Sequence, residues 1–583
     1  MRHPSGRVWL SGAWGTDEIV TVAGPHTTVV VAGPCSLDAD ELARRLADVR
    51  SVAAVESAVA GAVGAFVLLA SVAGETYARG PVAGTRRLFT ARHGGVTVLA
   101  DRARVLAWLT GAAIEPARVA ARLASPGVPV PVDGAPVWAG VHEVRPGDSV
   151  TVDRAGHART APWWRPPTMD RPLAESAPAL RDALARVVEL YTSTDELIGA
   201  DLSGGLDSTS LCFLAAETGA KLVTATIHWS AAGSQDDRYA AIARDTLPLA
   251  GSHIFASTDL PAQFAGIDDR ADPPDEPWRF PRSRRHERHI AEELAAAGAT
   301  CRISGHGGDD VVQAPHGGVG SVGPALRRAP VAGLRRLAET RAWHRWSVRD
   351  TLGAALDRRS YVDWVRACGT DLTRGAAGSP VPGRWGAATA LPSWSTATAA
   401  TMVAGLLRAA DPVVPHAEDS VQHAWLHGIR QSGRLAEEMS RASAALGLPW
   451  HAPFLDQAVI EACVATLPEQ ARDPRSYKPL LGAAMTGVLP DEVRRRTSKD
   501  HCLPEFHAGL RAQQRVLAQW CDTSRLAELG LVDAAALRRM ALNPELLGRE
   551  LAALEKTLAT EAWLRDLETH SVPEYLRGEP DHA

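Results

Sequence analysis

The chain has 583 residues, 45% hydrophobic and 22% charged, more than one hydrophobic core organises, so two or more globular domains are expected. Its 62 basic and 67 acidic residues leave a net charge of −5, which gives no electrostatic case for a nucleic-acid partner. Seven cysteines scattered without a C-x-x-C pair fit a reducing, cytoplasmic setting, and the apolar stretch near 60–72 is broken by glycines and too short to span a bilayer.

Up to about residue 165, short Val/Ala/Leu segments separated by Gly and Pro predict a mainly β module. Strands are expected over 19–22, 27–31, 64–71 and 96–99, with helices over 37–49 and 116–123. The Pro-, Trp- and Arg-rich run 162–173 reads as a linker, and a helix over 175–192 follows. The pattern then alternates: an apolar-leaning segment 197–202, a glycine turn, a helix through Leu211 and Leu214, a strand over 221–228 and a helix over 236–245. A short strand near 253–255, a helix over 285–297 and a strand ending at Ile303 complete the βαβ rhythm of a parallel sheet. From about 324 the chain reads as mostly helical, with a Gly/Pro break at 375–382, a loop opening at 412–415, a strong helix over 423–446 and a polar tail at 579–583.

Two glycine turns at strand ends carry the chemistry. The first, Ser203-Gly204-Gly205-Leu206-Asp207-Ser208-Thr209, opens a helix whose first N–H groups and positive dipole end suit an anion, most simply a pyrophosphate. It lacks the lysine of a G-x-x-x-x-G-K-[ST] loop, which argues against ordinary γ-phosphate transfer; the competing reading is a surface turn with helix-start residues. The second turn, Ser304-Gly305-His306-Gly307-Gly308-Asp309-Asp310, sets Asp309 on the same carboxyl edge as Asp207. There two hard oxygen ligands suit Mg²⁺ held against triphosphate oxygens. Asp310 reads equally as a cap or a supporting residue. Lys478 and Lys499 are the candidate cations for charge growing on pyrophosphate or on a tetrahedral intermediate, a surface lysine being the alternative for each.

These stretches resemble known families. The first loop is similar to the PP-loop (SGGxDS) of ATP pyrophosphatases, in which it grips the pyrophosphate of ATP while a carboxylate attacks the α-phosphorus. Asp236-Asp237-Arg238-Tyr239-Ala240, Gly305–Asp310, Pro453-Phe454-Leu455-Asp456, Lys478-Pro479-Leu480-Leu481 and the run from Leu489-Pro490 to Lys499 resemble, in order, motifs of asparagine synthetase B-type proteins. Gly64–Leu68, Gly84–Phe89 and Gly140–Gly147 resemble pieces of that family's glutaminase domain. The resemblance implies an α/β fold: a degenerate Ntn glutaminase-like β-rich domain over 1–165, then a PP-loop, adenine nucleotide α-hydrolase-like synthetase domain over 175–583 with a helical C-terminal part. It implies ATP and Mg²⁺ as cofactors, Ser203, Gly204, Gly205, Asp207, Ser208, Thr209, Ser304 and Gly305 as nucleotide contacts, Asp207 and Asp309 as metal ligands, and Lys478 and Lys499 as catalytic.

Two departures narrow the reading. Working glutaminases of this type use a cysteine made amino-terminal by removal of Met1, whereas this chain opens Met1-Arg2-His3, and Cys35 is no substitute. Before the PFLD-like stretch the usual Glu and Arg are replaced by Pro449 and His451, which argues against an aspartate pocket. β-Lactam synthetases and lasso peptide cyclases similarly lack the cysteine, and both let an amine of the activated substrate close the amide. The β-lactam branch pairs a tyrosine with a glutamate as base; Glu437 or Glu438 is the candidate carboxylate, with an exposed helical position as the competing reading. A long insert-like region over 316–393 and 17 tryptophans favour a peptide substrate, although core packing accounts for most tryptophans. The expectation is therefore a lasso peptide macrocyclase acting on a core peptide, with a leader-recognition protein and a leader peptidase as partners, and a β-lactam synthetase or related amide ligase as the alternative.

Overall fold

The structure is a computed structural model and describes residues 9–12, 14, 18–24, 27–193, 196–231, 233–277, 280–315, 330–375, 381–473, 476–497, 502–573 and 576. The predicted break at 375–382 and tail at 579–583 lie largely or wholly outside these residues, as does Lys499.

The β-rich part is built from nine strands: β1 (Ile19–Ala23), β2 (Thr27–Ala32), β3 (Val67–Val72), β4 (Glu75–Arg79), β5 (Leu88–His93), β6 (Val96–Ala100), β7 (His142–Val144), β8 (Asp148–Val152) and β9 (Ala158–Pro162). Six of them form an antiparallel sheet in the order β1-β2-β3-β4-β8-β9, and a second sheet has the order β6-β5-β7. Alternation sorts the side chains. Val29, Val31, Leu68 and Ala70 pack outward under the helix Ala39–Leu46, and Val67, Ala78, Leu88, Val144 and Val150 fill the space between the sheets. That helix is shorter than the expected 37–49. It starts where the Asp38 carboxylate accepts from the Glu41 N–H. The strands at 75–79, 88–93 and 142–162 are absent from the sequence expectation, and the stretch expected as linker begins inside β9.

The second part contains a five-stranded parallel sheet of β10 (Leu197–Asp201), β11 (Lys221–His228), β12 (Gly251–Ala256), β13 (Ala299–Ile303) and β14 (Trp450–His451), in the order β12-β11-β10-β13-β14. The first strand is central, so the chain runs outward one way, then crosses to β13 on the other side. The crevice between the ends of β10 and β13 is the switch point where such sheets bind ligands. Both glycine turns leave the sheet there. Arg302 of β13 fastens the switch point from below, with Nη2 2.7 Å from Asp201 Oδ1 and Nη1 3.1 Å from Glu287 Oε2. The helices Leu173–Thr192, Leu206–Glu217 and Gln457–Val464 cover the sheet through Leu180, Leu184, Leu211, Leu214 and Ile460.

A third core joins the helical C-terminal part to helices and loops of residues 103–141. Trp364, Trp385, Trp394, Trp520 and Trp563 are buried in it. Trp394 donates to Thr557 Oγ1 at 3.0 Å, and Trp563 to the Pro274 carbonyl at 2.8 Å. These tryptophans are core, so they supply no free aromatic surface for a substrate. No helix among the described residues is long and apolar enough to cross a membrane.

Candidate active site

Gly204 lets the first turn form. Its φ is +73°, and a Cβ there would lie 2.4 Å from the Asp236 carbonyl and 2.7 Å from the Ala240 nitrogen, at the start of the helix Asp236–Thr246. Only glycine tolerates both the backbone and the approach. Gly204→Ala is therefore expected to displace the turn, weaken ATP binding at least tenfold by titration and lower the unfolding midpoint; unchanged affinity would refute this packing role. Gly205 then begins the helix Leu206–Glu217 with no side-chain cap among the described residues, leaving its first N–H groups facing the crevice edge. Ser208 is folded back on the turn: its Oγ lies 2.9 Å from Ser203 Oγ and accepts from the Ser203 N–H at 3.2 Å. Thr209 is fully buried, its N–H donating to the Gly205 carbonyl.

The second turn packs directly on the first. The Ser304 N–H donates to the His451 carbonyl at 2.9 Å, tying the turn to β14, and Gly305 lies against the Ser208 backbone. A Cβ on Gly308 would be 2.5 Å from Asp207 Cγ, so this glycine makes room for that carboxylate. The two acidic neighbours diverge. Asp309 faces the first turn, whereas Asp310 accepts from Ser432 Oγ and lends its carbonyl to Trp425 Nε1 at 3.0 Å, anchoring the turn to the helix Ser420–Ala444. His306 does the same through Nε2, 3.0 Å from the Ser432 carbonyl, and burial lowers its pKa.

Lys478 joins the two turns. It is 0% exposed, and its Nζ contacts Asp207 Oδ2 and lies 2.8 Å from Asp309 Oδ1. Its backbone is left-handed, φ +48° and ψ +60°, immediately before Pro479 starts a short helix. A lysine in this region is strained, and the buried ion triad holds it there. Burial opposes the ammonium, but the two carboxylates outweigh it and push its pKa above the ordinary lysine value. Lys478 thus stays a cation at the point where Asp207 and Asp309 converge.

Arg496, which lies within the Leu489–Lys499 stretch but is not among the candidate site residues read from the sequence, braces the first turn from beneath. Its Nη1 donates to the Gly204 carbonyl at 2.9 Å, its Nη2 contacts Asp236, and its guanidinium lies 4.7 Å from the Tyr239 ring centroid. The signal was the spacing of Arg496 after Leu489-Pro490 together with the Asp236–Tyr239 motif, but neither reveals the contact. Because a lysine cannot reproduce the planar fork, Arg496→Lys is expected to raise the KM for ATP several-fold with a smaller change in kcat; a kcat effect alone would argue against a role in shaping the turn.

Glu438 is not brought to this group. It is 5% exposed, with Oε1 3.5 Å from Arg87 Nη2 and 3.9 Å from Arg441 Nη1. Glu437, also buried, pairs with Arg87 and Arg441. Both glutamates sit beneath the β-rich part, so the exposed helical reading is wrong for each. Burial raises the Glu438 carboxyl to about 7, with Arg441 opposing and Asp275 and Glu437 adding to the rise. A carboxyl raised above its unfolded value near 4.5 costs stability as pH climbs between those values. Glu438→Gln is therefore expected to match the native protein at pH 4 and to be more resistant to denaturant at pH 8; equal stability at both would contradict the shift.

The residues present suit a Mg²⁺-bound nucleotide. The lysine ammonium already stands between Asp207 and Asp309, showing that the two carboxylates accept one shared cation, and one or two carboxylates plus phosphate oxygens is the usual protein share around Mg²⁺. Among the described residues no group of three or more metal-ligating side chains occurs, so an all-protein metal cage is not formed there.

No curated protein matches the chain. Solved structures similar to it include that of the allosteric regulatory enzyme of purine biosynthesis, 12% identical over 41% of this chain and 62% of that one, with a TM-score of 0.18. Another is glutamine phosphoribosylpyrophosphate amidotransferase from B. subtilis complexed with ADP and GMP, 14% identical over 49% of this chain and 63% of that one, with a TM-score of 0.19. The chain spans less than two thirds of the length of either. The asparagine synthase family model matches residues 179–565, from within the helix before the first glycine turn to the last helix. That stretch holds both turns, Lys478 and Arg496, and the chain belongs to the asparagine synthase family.

Proposed function

We propose that the protein is an ATP- and Mg²⁺-dependent, AMP-forming cyclase that closes the macrolactam ring of a lasso peptide in the cytoplasm. Family membership supports the coarser part, an ATP-dependent ligase of the amide-forming type. The observation that carries the proposal is the buried Lys478 ammonium at the meeting point of Asp207 and Asp309. In the first step an Asp or Glu side-chain carboxylate of the core peptide attacks the α-phosphorus of ATP, and the bond to pyrophosphate breaks. The first turn, through Ser203, Gly204, Gly205, Ser208 and Thr209, cradles the departing pyrophosphate beside Ser304 and Gly305, and Lys478 neutralises its growing charge. Mg²⁺ held by Asp207 and Asp309 would screen the phosphate charge. In the second step the peptide's α-amine attacks the acyl carbon, AMP leaves and the nitrogen gives up a proton; Lys499 is assigned to this intermediate by the family resemblance.

Two features favour a peptide over glutamine or a free amino acid. Cys35 has its thiol pKa raised by burial, the opposite of an activated nucleophile, in keeping with a degenerate glutaminase-like domain that releases no ammonia. The insert carries an exposed apolar row, Val348, Leu352 and Leu356, along one helix and its C-cap, and the preceding helix exposes Trp343 at 74%. Such a surface suits a peptide or the leader-recognition protein and leader peptidase.

The test is to incubate the protein with ATP, Mg²⁺ and a leader-free core peptide. The expected products are AMP, pyrophosphate and a peptide one water lighter. Pyrophosphate release with a free amino acid and none with peptide would replace this reading by a β-lactam synthetase or another small-molecule amide ligase.

A further inference from the structure

A cavity of about 410 Å³ lies between the β-rich part and the helix Ser420–Ala444, on the side of that helix away from the glycine turns. Gly428 and Ser432 face Asp310, whereas Arg430 and Arg434, two residues and about 200° on from each, line the cavity. Arg434 is neutralised, contacting Asp133 and donating to its carbonyl at 3.0 Å. Arg430 makes no such pair among the described residues. It is 8% exposed, its Nε has no hydrogen-bond partner among those residues, and its Nη1 meets the ring nitrogen of His416 rather than a carboxylate.

That histidine belongs to a stack. The His416 N–H donates to His423 Nδ1 at 3.0 Å, and His427 stacks on both rings. Burial first, then the neighbouring Arg430, keeps His416 uncharged, and burial likewise lowers His423 and His427. Burial raises the Glu143 carboxyl to about 7 and also raises Asp148; both favour the Arg430 cation through space, but neither makes an ion pair with it among the described residues. Arg430 itself is pushed down to about 9, by burial and then by the adjacent Arg145. An under-neutralised buried guanidinium on a cavity wall is costly unless an anion meets it. The remaining wall is largely aliphatic.

We propose that this cavity binds an organic carboxylate with an apolar body, the carboxylate held by Arg430 and Arg145 and the body seated on Val130, Val132, Pro136 and Leu406. The chemistry fits a free organic acid or the carboxyl terminus of a peptide, and the site is separate from the nucleotide turns.

Calorimetric titration of the full-length protein with N-acetylleucine, N-acetylleucinamide and inorganic phosphate tests this. N-Acetylleucine is expected to bind saturably at one site and the amide not to bind. Arg430→Gln and Arg145→Gln should each weaken binding about 10- to 100-fold. Leu406→Trp fills the apolar end without touching either arginine and should also weaken binding, which keeps the test decisive if an arginine variant misfolds. A peptide ending in leucine with a free carboxylate separates the sources: tighter binding than N-acetylleucine supports a peptide terminus, weaker binding a small acid. Equal binding of acid and amide, binding of phosphate alone, no saturable heat, or unchanged affinity in the Arg145→Gln and Leu406→Trp variants overturns the proposal.

Discussion

Lys478→Met is expected to lower ATP-dependent pyrophosphate release about 10²- to 10³-fold, the usual loss when one pre-placed charge at a reacting centre is removed. Methionine fills the lysine's volume, so packing around the short helix at Pro479 is preserved and the deficit reads charge. The same change withdraws the ammonium that the largely buried Asp207 shares with Asp309. Removing one partner of a buried pair costs about 3 to 5 kcal/mol, and the half-exposed Asp309 side chain brings this towards the lower end. Denaturant unfolding without nucleotide should therefore show a clear loss, and added Mg²⁺ should recover part of it. Release within tenfold of the native rate would remove Lys478 from the chemistry, and native-like unfolding would show that the triad contributes little to the fold.

The second large effect is expected far from the turns. Arg87, 3% exposed, follows the tight turn before β5 and reaches across to the helix Ser420–Ala444. Its side chain meets Glu437 and Glu276, and its N–H donates to Glu437 Oε1 at 2.8 Å. Arg441 closes the far side, 2.9 Å from Glu437 and 2.8 Å from Asp275, and Arg122 lies 2.7 Å from Glu276. Arg87→Met withdraws the cation shared by Glu437, Glu276 and Glu438, although each keeps another arginine. A loss of about 3 kcal/mol is expected, expressed as separate unfolding of the β-rich part. Differential scanning calorimetry would then show two transitions where the native protein shows a more concerted one. A single native-like transition would mean that apolar contacts alone couple the parts.

Much of the candidate site was legible because it is local. A strand, a glycine turn and a helix are written within about a dozen consecutive residues, and both turns follow that grammar. Lys478 was legible only by family resemblance: nothing in Ser476-Tyr477-Lys478 tells a buried ammonium from a surface one, since the deciding partners lie 169 and 271 positions away. Arg496 lies in a stretch that also resembles the family, yet its contact with Gly204, 292 positions away, is not written there, and the Arg87–Glu437 contact, across 350 positions, had no signal at all. Helical periodicity marked Glu437 and Glu438 as polar positions, and polar faces are usually solvated. Here another layer of the protein covers that face and brings its own arginines. β14 is two residues long, too short to leave a periodic trace, yet its pairing with β13 completes the sheet beside the second turn.

The Lys478 triad has one more consequence. Two carboxylates held on separate turns repel each other, and an open crevice lined that way would tend to splay until a guest arrived. This chain carries its own counterion. With the ammonium seated between them, Asp207 and Asp309 can keep the turns together in the empty protein, and arrival of a metal–nucleotide becomes an exchange of one positive centre for another rather than the filling of a charged void.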